Sequence, residues 1–447
     1  MATLYRPKKT AVTQPLTIRL QIERNDYEGN GIGQYQQKIV FASGALAGET
    51  VLAKVTEQKP TFLKAKTIKV EQASNQRLTP FCRFYDSCGG CQLQYLSPLN
   101  QQQLKQQGID QMLRHQTGLA TLPWQPLLSS DSEQYRRKAR IGLWFDKKQR
   151  RLHVGFRAQG SKTITAIDDC AVLSPVLAPV FKVLQQVVPT LAQPEKITHA
   201  EVLEADGSAY VMVRHLQTLS ADEQQRFVDA WPEAIWLGEA QPGQVSYWQT
   251  EQKSPAYTLS AQQLTLSFSP DDFIQVNAKL NQLMINQALD WLAVGPDDQV
   301  LDLYAGIGNF SLPLAQRAKT VHGVEGLAKM VQQAATNAKN NGLTNAFFHQ
   351  ADLHLPWGQP EWQQLQYQHV LLDPARAGAQ GAIPQLAAMK PAQILYVSCN
   401  AATFALDAKL LLAAGYQLQK LGALDMFPHT THLELMALFV RSKPVKR

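Results

Sequence analysis

Three cysteines fall within ten positions in the stretch FCRFYDSCGGCQLQY: Cys82, Cys88 and Cys91. Thiols in C-x5-C-x2-C order point to a metal centre, because one loop then presents several soft sulfur donors. Gly89 and Gly90 lie inside the triplet and let the backbone wrap closely around such a centre. The chain has five cysteines in all. Cys399 ends the apolar run ILYVSC, where a thiol at a strand's carboxyl end leads into a helical pattern. A helix N-terminus there would favour the thiolate, so Cys399 is set apart as a nucleophile. Four cysteines remain, and Cys170 in AIDDCAVLSP is the candidate for a fourth ligand. By spacing alone, zinc and [4Fe–4S] are equally well served.

A second group of residues reads as a cofactor site. VLDLYAGIGNFSLPLA is an apolar strand, a glycine loop and a helix start. Gly306 and Gly308 allow a tight turn and a close ligand approach. The third glycine of a dinucleotide fingerprint would fall at residue 311, which is Ser311, so the pyrophosphate-binding form is incomplete. Glu325 ends the next strand, nineteen residues after Gly306, where an acid accepts hydrogen bonds from ribose hydroxyls. A ribose acid without a pyrophosphate cradle favours S-adenosylmethionine over NAD. Asp352 in ADL and Asp373 in LLDPARAG end two further strands, and Asp352 is placed to reach the adenine.

A thiol beside a methyl donor specifies a chemistry. C5 of a pyrimidine is a poor nucleophile until a thiolate adds at C6 and turns the ring into an enolate. After methylation the C5 proton must leave, which needs a general base. FPHTTHLELMALFV supplies Glu434 as that base, with His429 and His432 as orienting groups.

These residues need elements to hold them. The 447 residues are too many for one core and imply two or three domains. Residues 10–72 alternate apolar and polar positions between glycines, as in a small OB-like β-barrel. Lys54, Lys59, Lys64, Lys66 and Lys69, with Phe62 among them, suit RNA. SPLNQQQLKQQGIDQMLRHQTG reads as a helix over 98–118, able to pack on either neighbour. A central domain is expected over 73–270, strand-rich from 125; from 271 to 447 strands and helices alternate, which predicts an α/β domain with a mainly parallel sheet. Residues 1–170 carry 25 Lys and Arg against 13 Asp and Glu, and residues 171–447 carry 18 against 23. A basic front half on an acidic back half predicts a polyanion partner. In EQYRRKARIGLWF, Arg136, Arg137, Lys138 and Arg140 are placed for phosphates and Trp144 or Phe145 for stacking. No signal peptide or membrane-spanning run is visible, so a cytoplasmic chain is expected, acting as a monomer.

DFIQVN, DLYAGIGNFSLPLA, LLDPARAG, VSCN and FPHTTHLE, in that order, resemble the motifs of the RNA 5-methyluridine methyltransferase family. The resemblance covers roughly the last 170 residues. It implies a Rossmann-like class I methyltransferase domain over 271–447. It also implies that Gln275, Tyr304, Asn309, Glu325, Asp352 and Asp373 contact S-adenosylmethionine, with Cys399 as nucleophile and Glu434 as base. The front of the chain, residues 1–72, is similar to a TRAM RNA-binding domain. Having both the barrel and the cysteine cluster points within the family to modification of 23S rRNA rather than tRNA. The resemblance also implies a [4Fe–4S] cluster on Cys82, Cys88, Cys91 and Cys170 in a central domain. Rival readings are the same reaction on tRNA, a radical S-adenosylmethionine enzyme, whose C-x3-C-x2-C spacing differs, and a non-catalytic RNA-binding redox sensor.

Overall fold

Alternation of apolar and polar residues builds the first sheet. In the computed structural model, which describes residues 16–250 and 252–442, β1 (Thr17–Gln21) buries Ile18 and Leu20 and exposes Thr17, Arg19 and Gln21. The part of the expected barrel before residue 16 lies outside the described residues. β2 (Arg24–Asn25), β3 (Gly31–Tyr35), β4 (Lys38–Ser43), β5 (Thr50–Gln58) and β6 (Phe62–Gln72) complete a six-stranded sheet of order β1-β5-β6-β4-β3-β2. Its core is small and aliphatic, including Ile18, Leu20, Val40, Val51, Val55 and Leu63. The β3–β4 hairpin turns on Gln36 and Gln37, both at positive φ (47° and 64°), a primed turn built without the expected glycine.

By contacts the chain divides into two units. The first joins the described part of Met1–Tyr85 to Cys91–Leu113 and His429–His432. Helix α1 (Pro98–Thr117) buries Gln101, Lys105, Gly108, Ile109 and Leu113. Glycine inside a helix is costly, yet a Cβ at Gly108 would meet Tyr27 backbone atoms at 2.7 Å. The helix therefore lies directly against the barrel's Asp26–Tyr27 turn.

The second unit holds two large sheets. The central one has the order β13-β12-β11-β10-β7-β8-β9. Its strands are β7 (Lys138–Asp146), β8 (Arg151–Arg157), β9 (Ile164–Ala166), β10 (Ile197–Ala205), β11 (Ser208–His215), β12 (Ile235–Gln241) and β13 (Gln244–Tyr247), with helices α2 (Val180–Val187) and α3 (Ala221–Ala230). A two-stranded pair follows, β14 (Ala256–Leu259) with β15 (Leu264–Ser267).

The last sheet carries the site. It contains β16 (Gln299–Leu303), β17 (Thr320–Glu325), β18 (Ala346–Gln350), β19 (His369–Leu372), β20 (Gln393–Ser398), β21 (Tyr416–Leu424) and β22 (Glu434–Arg441). The order is β18-β17-β16-β19-β20-β22-β21; the first five are parallel, and β22 enters antiparallel to both neighbours. Helices α4 (Ala278–Leu292), α5 (Ser311–Ala315), α6 (Ala328–Asn340), α7 (Ile383–Met389) and α8 (Ala401–Ala413) connect or cover it. β16, β19 and β20 are buried almost end to end, as parallel strands covered on both faces must be. The chain runs outward from β16 to β17 and β18, then returns to place β19 on β16's other side. Crevices at such a switch point, outside the carboxyl ends of the strands, are where open α/β sheets bind ligands.

Candidate active site

β16 and β19 pair Leu303 with Leu372, so the next residues, Tyr304 and Asp373, leave the sheet side by side at the switch point. Asp373 N–H donates to Leu303 O at 3.3 Å, which fixes that exit. Tyr304 has φ +64°, a strained conformation for an aromatic residue. Its N–H and that of Ala305 both donate to Val324 O, and this over-determines the turn. The buried Tyr304 hydroxyl has no partner.

The glycine loop that follows is tied to Glu325. Gly306 N–H donates to one Glu325 carboxylate oxygen and Leu327 N–H to the other, each at 3.1 Å. Both loops therefore converge on one acid at the end of β17. Ala351 N–H donates to Glu325 O, and Asp352 accepts from His354 N–H at 2.9 Å. Asn309 is held by Asn281 through a reciprocal amide pair (2.9 and 3.0 Å) and accepts from the Tyr257 hydroxyl at 2.9 Å. Gln275 is buried, and its carbonyl accepts from Arg137 Nε at 2.8 Å. Asn277, two residues on, caps α4 by accepting from Leu280 N–H.

Ser311, where the dinucleotide fingerprint has glycine, has a structural use. Its buried hydroxyl hydrogen-bonds the Asp302 carboxyl on β16. Burial, with smaller contributions from Asp373 and Glu325, pushes the Asp302 carboxyl up to about 7, and its second oxygen has no partner. Sequence reasoning missed Asp302, whose position inside an apolar strand was its one signal.

Cys399 follows β20 and Glu434 opens β22. Register pairs Ser398 with Leu435, so these two strand ends are adjacent. Cys399 is partly buried. Its thiol is pushed up from the ordinary value, first by burial, then by the negative charges of Glu434 and Asp373, with Arg376 opposing. This corrects the expectation that a helix N-terminus would favour the thiolate. Cys399 precedes the α8 cap, Asn400, whose side chain accepts from Ala402 N–H. Glu434 is buried and its Oε2 has no hydrogen-bond partner. Burial, then Asp373, pushes its carboxyl up to about 8. Asp373, though not fully shielded, is pushed up to about 7 by burial. The crevice thus gathers a thiol and three carboxyls that all resist ionisation.

Two further residues position this group. Asn400 Nδ2 donates to Arg376 O at 3.0 Å, tying the Asp373 loop to the Cys399 turn. Asp407 on α8 accepts from Ala379 N–H at 2.7 Å and from the Tyr396 hydroxyl at 2.6 Å, which anchors the far end of that loop. Neither was singled out from sequence, since Asn and Asp at such positions look like ordinary caps.

In the first unit, His429 Nδ1 lies 3.0 Å from Gln101 Nε2, its N–H donates to Gln101 Oε1 and its ring packs against Phe81. Gln101 thus engages this expected orienting group. The basic strand entry is also revised. Arg137 is buried, and Lys138 Nζ is held by the Pro270 and Asp272 carbonyls. Arg140 is exposed but paired with Glu201, and Phe145 is half-buried. Trp144 is exposed and tilts against His153, with ring centroids 5.0 Å apart. On the barrel, Lys54 and Lys66 stand opposite each other across β5 and β6, an arrangement that repels itself unless an anion is present.

The family model for tRNA (uracil-5-)-methyltransferases matches residues 99–351 and 359–442, and that for TRAM domains matches residues 16–68. A relative from Vibrio cholerae named 23S rRNA (uracil(1939)-C(5))-methyltransferase RlmD is 42% identical over 444 residues, covering 99% of this chain and all of its own. The chain belongs to the tRNA (uracil-5-)-methyltransferase family. Another member, from Pseudomonas putida and with the same name, is 43% identical over 94% of this chain and 93% of its own. The crystal structure of Pyrococcus abyssi tRNA (uracil-54, C5)-methyltransferase with S-adenosyl-L-homocysteine aligns with a TM-score of 0.74 and 21% identity, covering 94% of this chain and 99% of that one. The family fold accordingly extends through the central sheet as well as the methyltransferase sheet. Among the described residues, no helix is long and apolar enough to cross a membrane.

Proposed function

We propose that this protein methylates C5 of a uridine in 23S rRNA, the position named for its relatives, uracil 1939, using S-adenosylmethionine. The observation that carries the reading is the adjacency of Cys399 and Asp373, at the carboxyl ends of β20 and β19, to Glu434 at the amino end of the antiparallel β22. S-adenosylmethionine, when bound, supplies the methyl group as an electrophilic sulfonium. Gln275, Tyr304, Asn309, Glu325, Asp352 and Asp373 would hold it, and the fit rests on the loop that Glu325 draws in and on the orphaned Tyr304 hydroxyl. Asn309 would use its backbone or turn its amide, because its side chain already serves Asn281 and Tyr257.

The chain's own groups then act in sequence. Cys399 Sγ, deprotonated, bonds to C6 and pushes electrons to C5 and O4. C5 takes the methyl group, and the sulfonium's S–CH3 bond would break to leave a neutral thioether. Glu434 removes the C5 proton, the C5–C6 double bond reforms and the C6–S bond breaks, returning the thiolate. A carboxylate whose pKa is near 8 is a far stronger base than an ordinary one, which suits this proton transfer. Its cost is that Glu434 must first be ionised beside Asp373.

The paired Lys54 and Lys66, with exposed Lys69 and Trp144, support an RNA substrate. An rRNA substrate accords with a cytoplasmic protein, read here as a monomer. We extend the proposal to a [4Fe–4S] cluster on Cys82, Cys88, Cys91 and Cys170. Donor chemistry supports it: Gly90 N–H points at Cys88 Sγ at 3.4 Å, and a Cβ at Gly89 would meet Arg157 O at 2.7 Å, so the loop is wound tightly. Among the described residues, however, no three His, Cys, Asp or Glu side chains are gathered for a metal, and no step is assigned to the cluster.

The test is tritium release from 23S rRNA carrying [5-³H]uridine, made without the modification, with tRNA in parallel. Release from one rRNA site and none from tRNA is expected. Release from tRNA alone would overturn the substrate, and release from neither would overturn the mechanism.

A further inference from the structure

The Asn309 amide, at the end of the glycine loop, is bonded in one definite sense. Its Oδ1 accepts from the Tyr257 hydroxyl on β14 at 2.9 Å and from Asn281 Nδ2 on α4 at 3.0 Å. Its Nδ2 donates to Asn281 Oδ1 at 2.9 Å. Two donors fill the two lone pairs of the oxygen, so the group the amide has left is its second N–H. Among the described residues, no protein group takes that N–H. Asn309 is half-buried, whereas Tyr257 and Asn281 are buried. Asn309 therefore has a resource besides its backbone that needs no turn of the amide.

The pair with Asn281 does not choose this sense, because both amides could turn over together and still exchange two hydrogen bonds. Tyr257 chooses it. With the amides turned over, Asn309 would offer an N–H to the hydroxyl oxygen, and the buried O–H would lose its acceptor, which is costly. Burial pushes the Tyr257 hydroxyl up to about 12, so it stays a donor. The ring is held in place: the Arg137 guanidinium lies over it, 4.6 Å from the centroid. Arg137 is itself fixed, donating from Nε to Gln275 O and from its N–H to Val276 O, both at 2.8 Å.

The other side chains assigned to the cofactor include three carboxyls, Glu325, Asp352 and Asp373. These suit its hydroxyls and its ammonium group but not its carboxylate, which needs a donor. We propose that Tyr257 is a positioning residue that acts through Asn309, fixing the amide so that it meets the carboxylate of the cofactor's amino-acid tail as a hydrogen-bond donor. The proposal rests on S-adenosylmethionine being the cofactor.

The test is calorimetric binding of S-adenosylhomocysteine, which keeps that tail, to the full chain, with Tm read for each variant. Tyr257→Phe keeps the ring under Arg137 and removes the hydroxyl alone. It should weaken binding about fivefold, the worth of one hydrogen bond, with Tm within a few degrees of native. Added to Asn309→Ala, it should cost no further affinity, because both changes act through one contact. Asn309→Asp still accepts from Tyr257 and Asn281 but offers no donor, so it should bind more weakly than Asn309→Ala. The inference is overturned if Tyr257→Phe binds as native, if its loss adds in full to that of Asn309→Ala, or if Asn309→Asp binds more tightly than Asn309→Ala. Native protein that does not bind S-adenosylhomocysteine would instead overturn the cofactor reading, and this inference with it.

Discussion

The Tyr396 hydroxyl donates to Asp407 at 2.6 Å, and the same carboxyl oxygen accepts from Ala379 N–H at the end of the Asp373 loop. A strand, a helix and the Asp373 loop are thereby locked at one atom. Asp407→Ala would strand two buried donors, each costing about 1–3 kcal/mol. The expected outcome is a Tm lower by several degrees and weaker S-adenosylhomocysteine binding by calorimetry. An unchanged affinity in folded protein would show that the loop holds its shape without Asp407.

Cys399→Ala should abolish tritium release while leaving RNA affinity within a few-fold of native. Glu434→Gln should be different. Thiolate addition and methyl transfer do not need the base, but release of the thiol does. A methylated RNA covalently bound to protein should therefore accumulate and survive denaturing gels. Free methylated RNA appearing at the native rate from this variant would remove Glu434 from its role.

Burial first, then the Glu434 and Asp373 carboxyls when ionised, raise the Cys399 thiol. Native Cys399 should be alkylated slowly by iodoacetamide at pH 7 and about tenfold faster for each pH unit until its pKa is reached. Asp373→Asn removes one negative neighbour and should move that profile to lower pH. Peptide mass spectrometry reads Cys399 separately from the other four cysteines. A profile unmoved by Asp373→Asn would remove Asp373 from the causes and leave burial and Glu434.

Stability should depend on pH in a definite sense. The Glu434 carboxyl is raised to about 8, so the folded state holds a proton that the unfolded chain releases near its ordinary carboxyl pKa. Folded-state stability then falls as pH rises through this window, by about 1.4 kcal/mol for each pH unit of displacement. Glu434→Gln should remove part of that fall, and its Tm should exceed the native value most clearly above pH 8. A variant less stable than native at pH 8.5 would contradict the raised carboxyl.

For the cluster, protein purified without oxygen should carry roughly four iron and four sulfide per chain, and Cys170→Ser should lose most of both. Zinc in place of iron would decide the alternative that spacing left open.

The sequence by itself marked the candidate residues and the order of the elements. Glycines, strand-end acids and the lone late cysteine are local signals, because a strand's carboxyl end and the turn after it lie within a few residues. That is why the strand-end positions of Glu325, Asp373, Cys399 and Glu434 were legible, as was the switch from short strands to β/α alternation. The tertiary structure alone decided what surrounds them. Asp302 and Ser311 are nine residues apart and bond only because α5 folds back over β16. Arg137 and Lys138 look like phosphate contacts in a basic run, yet the carbonyls of residues 270–275, more than 130 positions away, bury them. The Cys399 thiol was expected to be acidic from its place before a helix. Desolvation and two carboxyls from other strands outweigh that, and such neighbours are set by packing rather than by spacing along the chain.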